Sequence, residues 1–317
     1  MTQIITVTPN PAIDVSTSVG KLAPFTKLRC ASPRHDPGGG GVNVARVVKR
    51  LGGEVAAIYP IGGAVGELLH RLMDREGVRS IAVPAVEETR EDFTVFEDAT
   101  NQQYRFVMPG ASLSEPEWQE CLRQLASVEP RPDFVVASGS LPPGVPEDFY
   151  ARVAHVAKER DAKVVVDTSG VPLKAALAEG VQLIKPNLRE FQELTGIRTA
   201  DEAALIDAGR DLIARGCVKL IALSLGPHGA MIITGEGALR ADGLSIKTAS
   251  VIGAGDSFVG ALTWSLARND GLGVALSFGV AAGSAALLNP GTDLCRFDDV
   301  QRLVPQVIVR PTRVGAG

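Results

Sequence analysis

Short, continuous runs of apolar residues alternate along the chain with segments whose apolar residues recur at helical spacing. The apolar runs lie at residues 4–8, 55–61, 134–137, 164–167, 183–185 and 220–224. They lack the polar alternation of a strand with one solvated face. Each run therefore predicts a strand that is buried on both faces, as in a parallel sheet covered by helices.

Helical segments with clear stop signals lie between and after these runs. Residues 42–51 carry apolar side chains on one face and end at a glycine pair, and residues 67–76 end at Gly77. Beyond residue 250 the pattern is mostly helical, with helices predicted at 256–268, 272–288 and from Asp298. This alternation predicts an α/β fold, a doubly wound and mostly parallel sheet with helices on both faces.

Residues 15–34 and 89–107 do not follow this alternation. They contain β-rich stretches such as Lys27-Leu28-Arg29-Cys30 and Tyr104-Arg105-Phe106-Val107, which predict antiparallel strands of a small separate sheet. A few strands alone are marginally stable in water. We therefore expect this sheet to cover a site as a lid and to clasp a second subunit, which would make the protein a homodimer.

The domain boundaries follow from these two segments. The main α/β domain, which would bind nucleotide and substrate, is predicted at residues 1–14, 35–88 and 108–310. The last residues, 311–317, are predicted to form a frayed tail.

The composition limits the partners of the protein. The 317 residues carry a net charge of −4 and a pI of about 5.7, which argues against nonspecific binding of nucleic acid. No run approaches the roughly 18 apolar residues of a membrane-spanning helix, and the first residues lack the basic segment of a signal peptide. Four scattered cysteines without a C-x-x-C pair are typical of reduced thiols in a cytoplasmic protein.

Two glycine-rich loops each precede a predicted helix. Gly38-Gly39-Gly40-Gly41 precedes the helix that contains Asn43, and Gly253-Ala254-Gly255-Asp256-Ser257 precedes the next one. A helix N-terminus offers unpaired N–H groups and the positive end of the helix dipole, so either loop suits an anion. On spacing alone, a tight connection is the commoner explanation. Neither loop has the G-x-x-x-x-G-K-[ST], G-x-G-x-x-G or G-x-S-x-G pattern.

Asp256 is the most informative residue of these loops. An acidic residue at the start of a helix ordinarily caps backbone N–H groups. Here Gly253, Ala254 and Gly255 precede it, so backbone amides can surround the oxygens of a transferring phosphoryl group while the carboxylate accepts a hydroxyl proton. Phosphoryl transfer needs this combination of positioning and charge stabilisation.

At these residues the sequence resembles the ribokinase-like (PfkB) carbohydrate kinases, and within them most strongly the bacterial 6-phosphofructokinase branch. The resemblance extends from Thr8-Pro9-Asn10-Pro11-Ala12-Ile13-Asp14 to Gly283-Ser284-Ala285-Ala286. Its two signatures are residues 38–46 and the segment around Asp256, which occur in the family's order. The resemblance implies a ribokinase-like fold, ATP and Mg²⁺ as cofactors, and K⁺ as an optional one.

The resemblance also implies a sugar-phosphate site. Asp14 would hold sugar hydroxyls, and Arg90 is the first candidate for the substrate's phosphate, with Lys27 reaching into the partner subunit's site. The full set of expected substrate-binding residues is Asp14, Lys27, Arg29, Gly39, Asn43, Arg90, Arg105 and Ser138. Taken one at a time, Asp14 also fits a turn residue, and each cation also fits a solvated strand.

The nucleotide and cation sites are implied in the same way. The residues expected to bind ATP are Lys185, Asn187, Ser224, Gly226, Gly229, Thr248, Val280 and Ser284. Asn187 and Glu190 would organise Mg²⁺ through water, although the N-x-x-E pattern alone also fits a helix cap. The candidates for K⁺ are Ser250, Ile252, Ala286, Asn289 and Gly291, with Asp293 at the position of a further ligand.

The implied reaction is ATP-dependent phosphorylation of a sugar phosphate, first of all at the C1 hydroxyl of fructose 6-phosphate, with Asp256 as the base. Two alternatives stay open, a 1-phosphofructokinase or tagatose-6-phosphate kinase, and a non-catalytic sugar-phosphate sensor. The relatives that carry out the first two reactions typically have Lys where this chain has Gly40. The four cations at 27, 29, 90 and 105 argue against a kinase of an unphosphorylated sugar or nucleoside.

Overall fold

A ten-stranded sheet forms the centre of the protein in a computed structural model that describes residues 3–312. Its strands are β1 (Gln3–Val7), β4 (Glu54–Ile61), β5 (Arg79–Pro84), β8 (Phe134–Ser138), β9 (Lys163–Asp167), β10 (Val181–Ile184), β11 (Val218–Ser224), β12 (Ala230–Ile233), β13 (Ala238–Ala241) and β14 (Val309–Thr312). They lie in the order β14-β13-β12-β11-β10-β9-β8-β1-β4-β5. The strands from β11 to β5 are parallel, as the continuous apolar runs predicted.

Ten helices connect the strands and cover both faces of this sheet. They are α1 (Gly40–Arg50), α2 (Gly63–Arg75), α3 (Glu115–Ser127), α4 (Phe149–Glu159), α5 (Gly170–Glu179), α6 (Leu188–Thr195), α7 (Glu202–Ala214), α8 (Ala254–Ala267), α9 (Leu272–Ala286) and α10 (Phe297–Leu303) within the described residues. The predicted doubly wound α/β architecture is confirmed.

Two apolar cores separate the helices from the sheet. Alternate residues of the central strands point to opposite faces, so Ile4 and Ile5 of β1 enter different cores. One core packs α1, α2, α8, α9 and α10 on the first face. The other packs α3 to α7 on the second face, where Trp118 contacts the Phe149 ring edge-on. Because both faces are covered, polar residues concentrate at the ends of the strands.

A separate four-stranded sheet lies beside the main one, and we call it the lid sheet. It consists of β2 (Ala12–Val19), β3 (Arg34–Gly38), β6 (Arg90–Glu97) and β7 (Gln102–Phe106) in the order β3-β2-β6-β7. The predicted small sheet is therefore present, with two corrections. β2 and β6 pair in parallel rather than antiparallel, and the predicted strand around residues 27–30 is an exposed segment without regular structure.

The chain ends on an antiparallel edge of the main sheet. β12, β13 and β14 pair antiparallel beyond β11, and β14 includes Pro311 and Thr312, so the predicted frayed tail was wrong at these two residues. The rest of that tail, residues 313–317, lies outside the described residues, as do residues 1–2. Among residues 3–312, no helix is long and apolar enough to cross a membrane.

The parallel topology brings several polar residues to one edge of the main sheet. Ser138, Asp167 and Ser224 are the last residues of β8, β9 and β11, and Lys185 directly follows β10. Parallel strands place their carboxyl ends on the same side, where doubly wound folds bind ligands. The lid sheet and the N-termini of α1 and α8 complete this edge, which is where the candidate site lies.

Candidate active site

A polar cavity of about 200 Å³ lies between the main sheet and the lid sheet. Six of the predicted residues line it: Gly39, Asn43, Arg90, Arg105, Ser138 and Asp256. Six others were not predicted: Asn10, Gly40, Asp92, Gly139, Ser140 and Asp167. A second cavity of about 380 Å³ shares Arg105 and Asp256 with the first and is also lined by Gln103, Val251, Ile252, Gly253 and Gly255. Asp256 therefore stands where two cavities meet.

Asp256 lies in the first turn of α8 and does not cap it. The N-cap residue is Gly253, whose φ of 76° is in the left-handed region that glycine tolerates. The Asp256 carboxylate accepts a hydrogen bond from Nδ2 of Asn43 at 2.8 Å. Burial, reinforced by the nearby Asp167 carboxylate, raises the pKa of Asp256 to about 6. A base with this pKa is ionised at neutral pH and can still accept a proton.

The N-terminus of α8 presents its amides to the cavities. Within residues 3–312, no side chain caps this helix. The N–H groups of Ala254, Gly255 and Asp256 therefore lack the i−4 partners of later helical residues. Lys185 Nζ lies close by, since a Cβ built on Gly255 would be 3.2 Å from it. Unpaired amides, the positive end of a helix dipole and an ammonium group together suit a phosphate.

Lys185 is held by Asp167, a residue that the sequence analysis missed. Lys185 Nζ lies 3.0 Å from Oδ1 of Asp167, and both side chains are largely buried. Burial alone would lower the pKa of Lys185, but the carboxylates of Asp167, Asp256 and Glu190 raise it above its ordinary value. The ammonium is therefore charged at neutral pH. Asp167 could have been found from its position at the end of an apolar run.

Asp14 is buried at the start of the lid sheet. Burial raises its pKa to about 6, with Asp92 and Asp256 adding to the rise and Arg105 opposing it. Gly38 lies against this carboxyl group, because a Cβ at Gly38 would be 2.6 Å from Oδ2 of Asp14. Asp14 is thus part of the charged group that includes two cavity-lining acids and one arginine.

The four cationic residues predicted to bind substrate differ in their position relative to the cavities and in their bonding partners. Arg90 lines the polar cavity, but its terminal nitrogens donate to the backbone oxygens of Met108 and Asn10 at 3.0 and 3.2 Å. Arg105 lines both cavities and has no side-chain hydrogen-bond or ion-pair partner among residues 3–312. Lys27 and Arg29 are exposed and line neither cavity.

Asn187 and Glu190 form a capping box at the start of α6. The Asn187 side chain accepts from the Glu190 amide, and the Glu190 carboxylate accepts from the Asn187 amide, both at 2.9 Å. The capping interpretation of the N-x-x-E pattern is therefore confirmed. Within residues 3–312, no cluster of three or more His, Cys, Asp or Glu side chains could hold a metal ion by itself. A metal at this edge would thus depend on water and phosphate oxygens for most of its ligands.

The other predicted nucleotide residues are less closely grouped. Ser224 lies beside Asn187 through an isolated β-bridge, and Gly226 and Gly229 adopt positive φ in the turn that follows. Thr248 is exposed and Ser284 is half-buried. The Val280 side chain is buried in the first core, so only its backbone could contribute to a site.

The predicted cation residues come from two segments that meet beside the lid sheet. Ser250 and Ile252 lie before α8, whereas Ala286 ends α9 and is followed by Asn289 and Gly291. Ser250 Oγ donates to the Gly291 carbonyl at 2.7 Å and accepts from the Ile252 amide at 3.2 Å. Asn289 is buried and donates to backbone oxygens of Ala285 and Leu294. Ala286 accepts from the Asn289 amide.

Polar contacts join the lid sheet to the segment before α8 and to the loop after α9. Thr292 Oγ1 donates to Asp36 at 2.9 Å, and Ser250 Oγ is 3.4 Å from the Gln103 amide. The Asp293 carboxylate lies 3.4 Å from Arg34 and 3.1 Å from Arg50, and these two arginines hold its pKa below the ordinary value against the effect of burial.

Gly40 packs against the end of β8 with no room for a side chain. A Cβ at this position would lie 2.3 Å from Ser138 Oγ and 2.9 Å from the Gly139 nitrogen. We expect Gly40→Ala to destabilise the protein by about 1–3 kcal/mol, as overpacked sites do, and to displace Ser138 from the cavity. Thermal unfolding measures the first effect. Gly20→Ala is the matched control, because no atom lies within 4 Å of a Cβ there, and an equal loss in both variants would contradict the packing explanation.

Comparisons with known proteins identify the family of this chain. The profile of the pfkB family carbohydrate kinases matches residues 7–298. The ATP-dependent 6-phosphofructokinase isozyme 2 of Mycobacterium tuberculosis is 44% identical over 313 residues, covering 99% of this chain and 92% of that protein. Isozyme 2 of Escherichia coli is 41% identical, covering 96% and 98%. A 1-phosphofructokinase of Xanthomonas campestris is less similar, at 33% identity over 96% and 94%.

Solved structures of phosphofructokinase-2 from Escherichia coli have the same fold. The complex with fructose-6-phosphate superimposes with a TM-score of 0.91 at 40% identity, and the complex with potassium with a TM-score of 0.92 at 41% identity. Each comparison covers 96% of this chain and 99% of the other. A further structure of that enzyme is its tetrameric inhibited form.

Proposed function

Because the chain belongs to the pfkB family of carbohydrate kinases, we propose that it transfers the γ-phosphoryl group of ATP to the C1 hydroxyl of fructose 6-phosphate. Relatives at 41–44% identity are ATP-dependent 6-phosphofructokinases, whereas the 1-phosphofructokinase is 33% identical. One observation of the site carries the proposal. Asp256, whose pKa is raised, lines a polar cavity from the first turn of α8, a helix whose N-terminus is capped by no side chain among residues 3–312.

In this proposal Asp256 is the general base. Its carboxylate accepts the proton of the C1 hydroxyl, whose oxygen then attacks the γ-phosphorus as the bond to the leaving ADP oxygen breaks. The amides at residues 253–256 stabilise the negative charge on the transferring group. Lys185, kept charged by Asp167, offsets charge on the nucleotide phosphates. Two cavities meet at Asp256, and in this proposal the sugar would occupy one of them and the nucleotide the other.

The sugar phosphate would lie in the 200 Å³ cavity. Asp14, Asn43 and Gly39 would bind sugar hydroxyls. Asn43 and Gly39 line this cavity, and the buried Asp14 lies against the neighbouring Gly38. Of the cations, Arg105 is the stronger candidate for the substrate's phosphate, because its guanidinium has no hydrogen-bond or ion-pair partner among residues 3–312. The Arg90 guanidinium already donates to two backbone oxygens. Paired with a phosphate, a planar guanidinium forms strong, charge-assisted hydrogen bonds. Lys27, which is exposed, would reach the site of a partner subunit in a homodimer joined by the lid sheets, and Arg29, also exposed, stays a proposed substrate-binding residue.

Mg²⁺ and K⁺ are the proposed ions. Mg²⁺ supplies charge neutralisation on the nucleotide phosphates, and Asn187 and Glu190 would hold it through water. K⁺ would be coordinated by backbone and side-chain oxygen atoms of Ser250, Ile252, Ala286, Asn289 and Gly291. A potassium complex is known for the related Escherichia coli enzyme. We place the reaction in the cytoplasm, where ATP and sugar phosphates are retained.

The test is a coupled ADP-release assay with ATP and Mg²⁺. The acceptors are fructose 6-phosphate, fructose 1-phosphate, tagatose 6-phosphate, free fructose and ribose, each with K⁺ and with choline in its place. We expect kcat/KM to be highest with fructose 6-phosphate and K⁺. A preference for another phosphosugar would correct the substrate and keep the base. Binding of sugar phosphate without turnover of any acceptor would replace the kinase by a sensor.

A further inference from the structure

Arg46 is buried directly behind the proposed base, although no part of the reaction described above uses it. It lies on α1 with a side chain that is 1% exposed. Its Nη1 donates to the Pro37 carbonyl at 2.7 Å and to Oδ1 of Asn43 at 3.2 Å. Its Nε and Nη2 donate to Glu76 Oε1 at 3.1 and 2.8 Å. A buried arginine costs desolvation energy, so each of these contacts matters for its position.

The contact with Asn43 determines which way the Asn43 amide faces. A guanidinium group has only donors, so the atom of Asn43 that it contacts must be the carbonyl oxygen. The NH₂ group is then the end that faces Asp256, to which it donates at 2.8 Å. If the amide turned over, its oxygen would face the Asp256 carboxylate and its NH₂ group would face the Arg46 guanidinium. Neither contact could then be a hydrogen bond. The orientation therefore follows from the chemistry of Arg46, independently of how the amide atoms are assigned.

We propose that Arg46 is a positioning residue, which acts through Asn43 to keep a hydrogen-bond donor on one oxygen of the proposed base. This inference rests on the proposed function. The donor stabilises the ionised carboxylate and leaves the other oxygen for the hydroxyl of the substrate. Arg46 is itself fixed from two directions, by the Pro37 carbonyl on β3 and by Glu76 after α2.

The groups around Asp256 define what its titration reports. Burial, Asp167 at the end of β9 and Asp14 on β2 disfavour its ionised form. Lys185 after β10, Arg105 on β7 and the Asn43 amide favour it. Around Arg46, Glu76 and Asp36 are acidic, and Arg50 shares Glu76. Removing Arg46 changes the Asn43 contribution at Asp256 and also removes a charge that lowers the pKa of Asp14, so the profiles below are recorded in the Asp14→Asn background as well.

The acidic limb of the kcat/KM profile tests the proposal. In Arg46→Met we expect this limb to move upward by about one pH unit, so that activity at pH 6 falls roughly fivefold more than at pH 8.5. Asn43→Ala should move it similarly, and the double variant Asn43→Ala/Arg46→Met no further, because both changes remove the same donor.

Arg50→Met is the matched control. Arg50 also bonds Glu76, at 2.7 Å, but it does not contact Asn43. We expect this variant to lose stability and to keep the wild-type acidic limb at saturating K⁺. An equal shift in Arg50→Met, or a loss of activity in Arg46→Met that is the same at all pH values, would overturn the proposal in favour of a purely structural role.

A second variant decides the matter if Arg46→Met does not fold. Asn43→Asp keeps an acceptor for Arg46 but places a carboxylate against Asp256, so the limb should rise by more than one unit. An unmoved limb would overturn the inference. If another phosphosugar proves to be the substrate, the same profiles are recorded with it. If no acceptor turns over, the ¹³Cγ resonance of Asp256, identified by its loss in Asp256→Asn, is titrated instead, which separates this inference from the proposed function.

Discussion

Asp256→Asn should lower kcat by about 10²–10⁴-fold, the usual contribution of a general base, while the KM for fructose 6-phosphate changes little. The amide cannot accept the hydroxyl proton, yet it has nearly the same shape and can still accept from Asn43. Steady-state kinetics at pH 8 measure both constants. The matched control is Asp298→Asn, the same substitution in the first turn of α10, where the residue is exposed. Turnover near the wild-type value in Asp256→Asn would remove the base assignment.

The same variant should be more stable than the wild type at neutral pH. The pKa of Asp256 is about 6 in the folded protein against an ordinary value of 3.8, so the folded state favours the protonated form. The cost of ionising the buried group is absent below pH 3.8, grows as the pH rises towards 6, and is full above it. Because the side chain is partly exposed, we discount the effect to about 1–2 kcal/mol. Thermal unfolding at pH 8 should show a higher Tm in Asp256→Asn, with the difference shrinking towards pH 4.

Asp14→Asn should lower kcat/KM for fructose 6-phosphate by about 10- to 100-fold, mainly through KM. Hydrogen bonds between a carboxylate and sugar hydroxyls are worth about 1.5–3 kcal/mol, and the amide replaces only part of them. The KM for ATP should stay near the wild-type value, since Asp14 is proposed to bind the sugar and not the nucleotide. Initial rates with each substrate varied in turn measure the two effects.

Glu91→Gln provides the control for this second experiment. Glu91 lies on β6, where it is paired with the neighbour of Asp14 in the lid sheet, and it is half-exposed whereas Asp14 is buried. The same loss of a carboxylate there should leave kcat/KM unchanged. If Asp14→Asn instead raised the KM values of both substrates equally, Asp14 would be holding the lid sheet rather than the sugar.

The main sheet could be predicted because its strands are continuous apolar runs, which few other structures accommodate. The lid sheet was harder to predict from the sequence, because its strands are half-exposed and their pairing joins segments that are distant along the chain. The sequence of β3, Arg34-His35-Asp36-Pro37-Gly38, has no strand pattern. It becomes a strand because it pairs with β2. By contrast, the alternation at residues 27–30 predicts a strand, but this segment pairs with no strand among residues 3–312.

The sequence predicted the residues of the candidate site that lie in or next to glycine-rich loops. It missed residues of the site that belong to no motif. Asp256 and Asn43 follow such loops, and they do contact each other. Asp167 and Asp92 carry no local motif, and only the convergence of strand ends brings them to the cavity. Arg46 is a charged residue within the buried face of a helix, which is a recognisable signal once a partner such as Glu76 is known.

The contacts between the lid sheet and the loop at residues 289–293 have a thermodynamic consequence. The Thr292–Asp36 hydrogen bond and the Asp293–Arg34 ion pair join the loop proposed to bind K⁺ to the sheet that carries Asp14. Occupancy of one site and occupancy of the other are then linked equilibria. By reciprocity, the factor by which K⁺ tightens sugar-phosphate binding must equal the factor by which the sugar phosphate tightens K⁺ binding. If the proposed K⁺ site tightens sugar-phosphate binding, the K⁺ concentration that gives half-maximal activity should fall as the concentration of the sugar substrate rises.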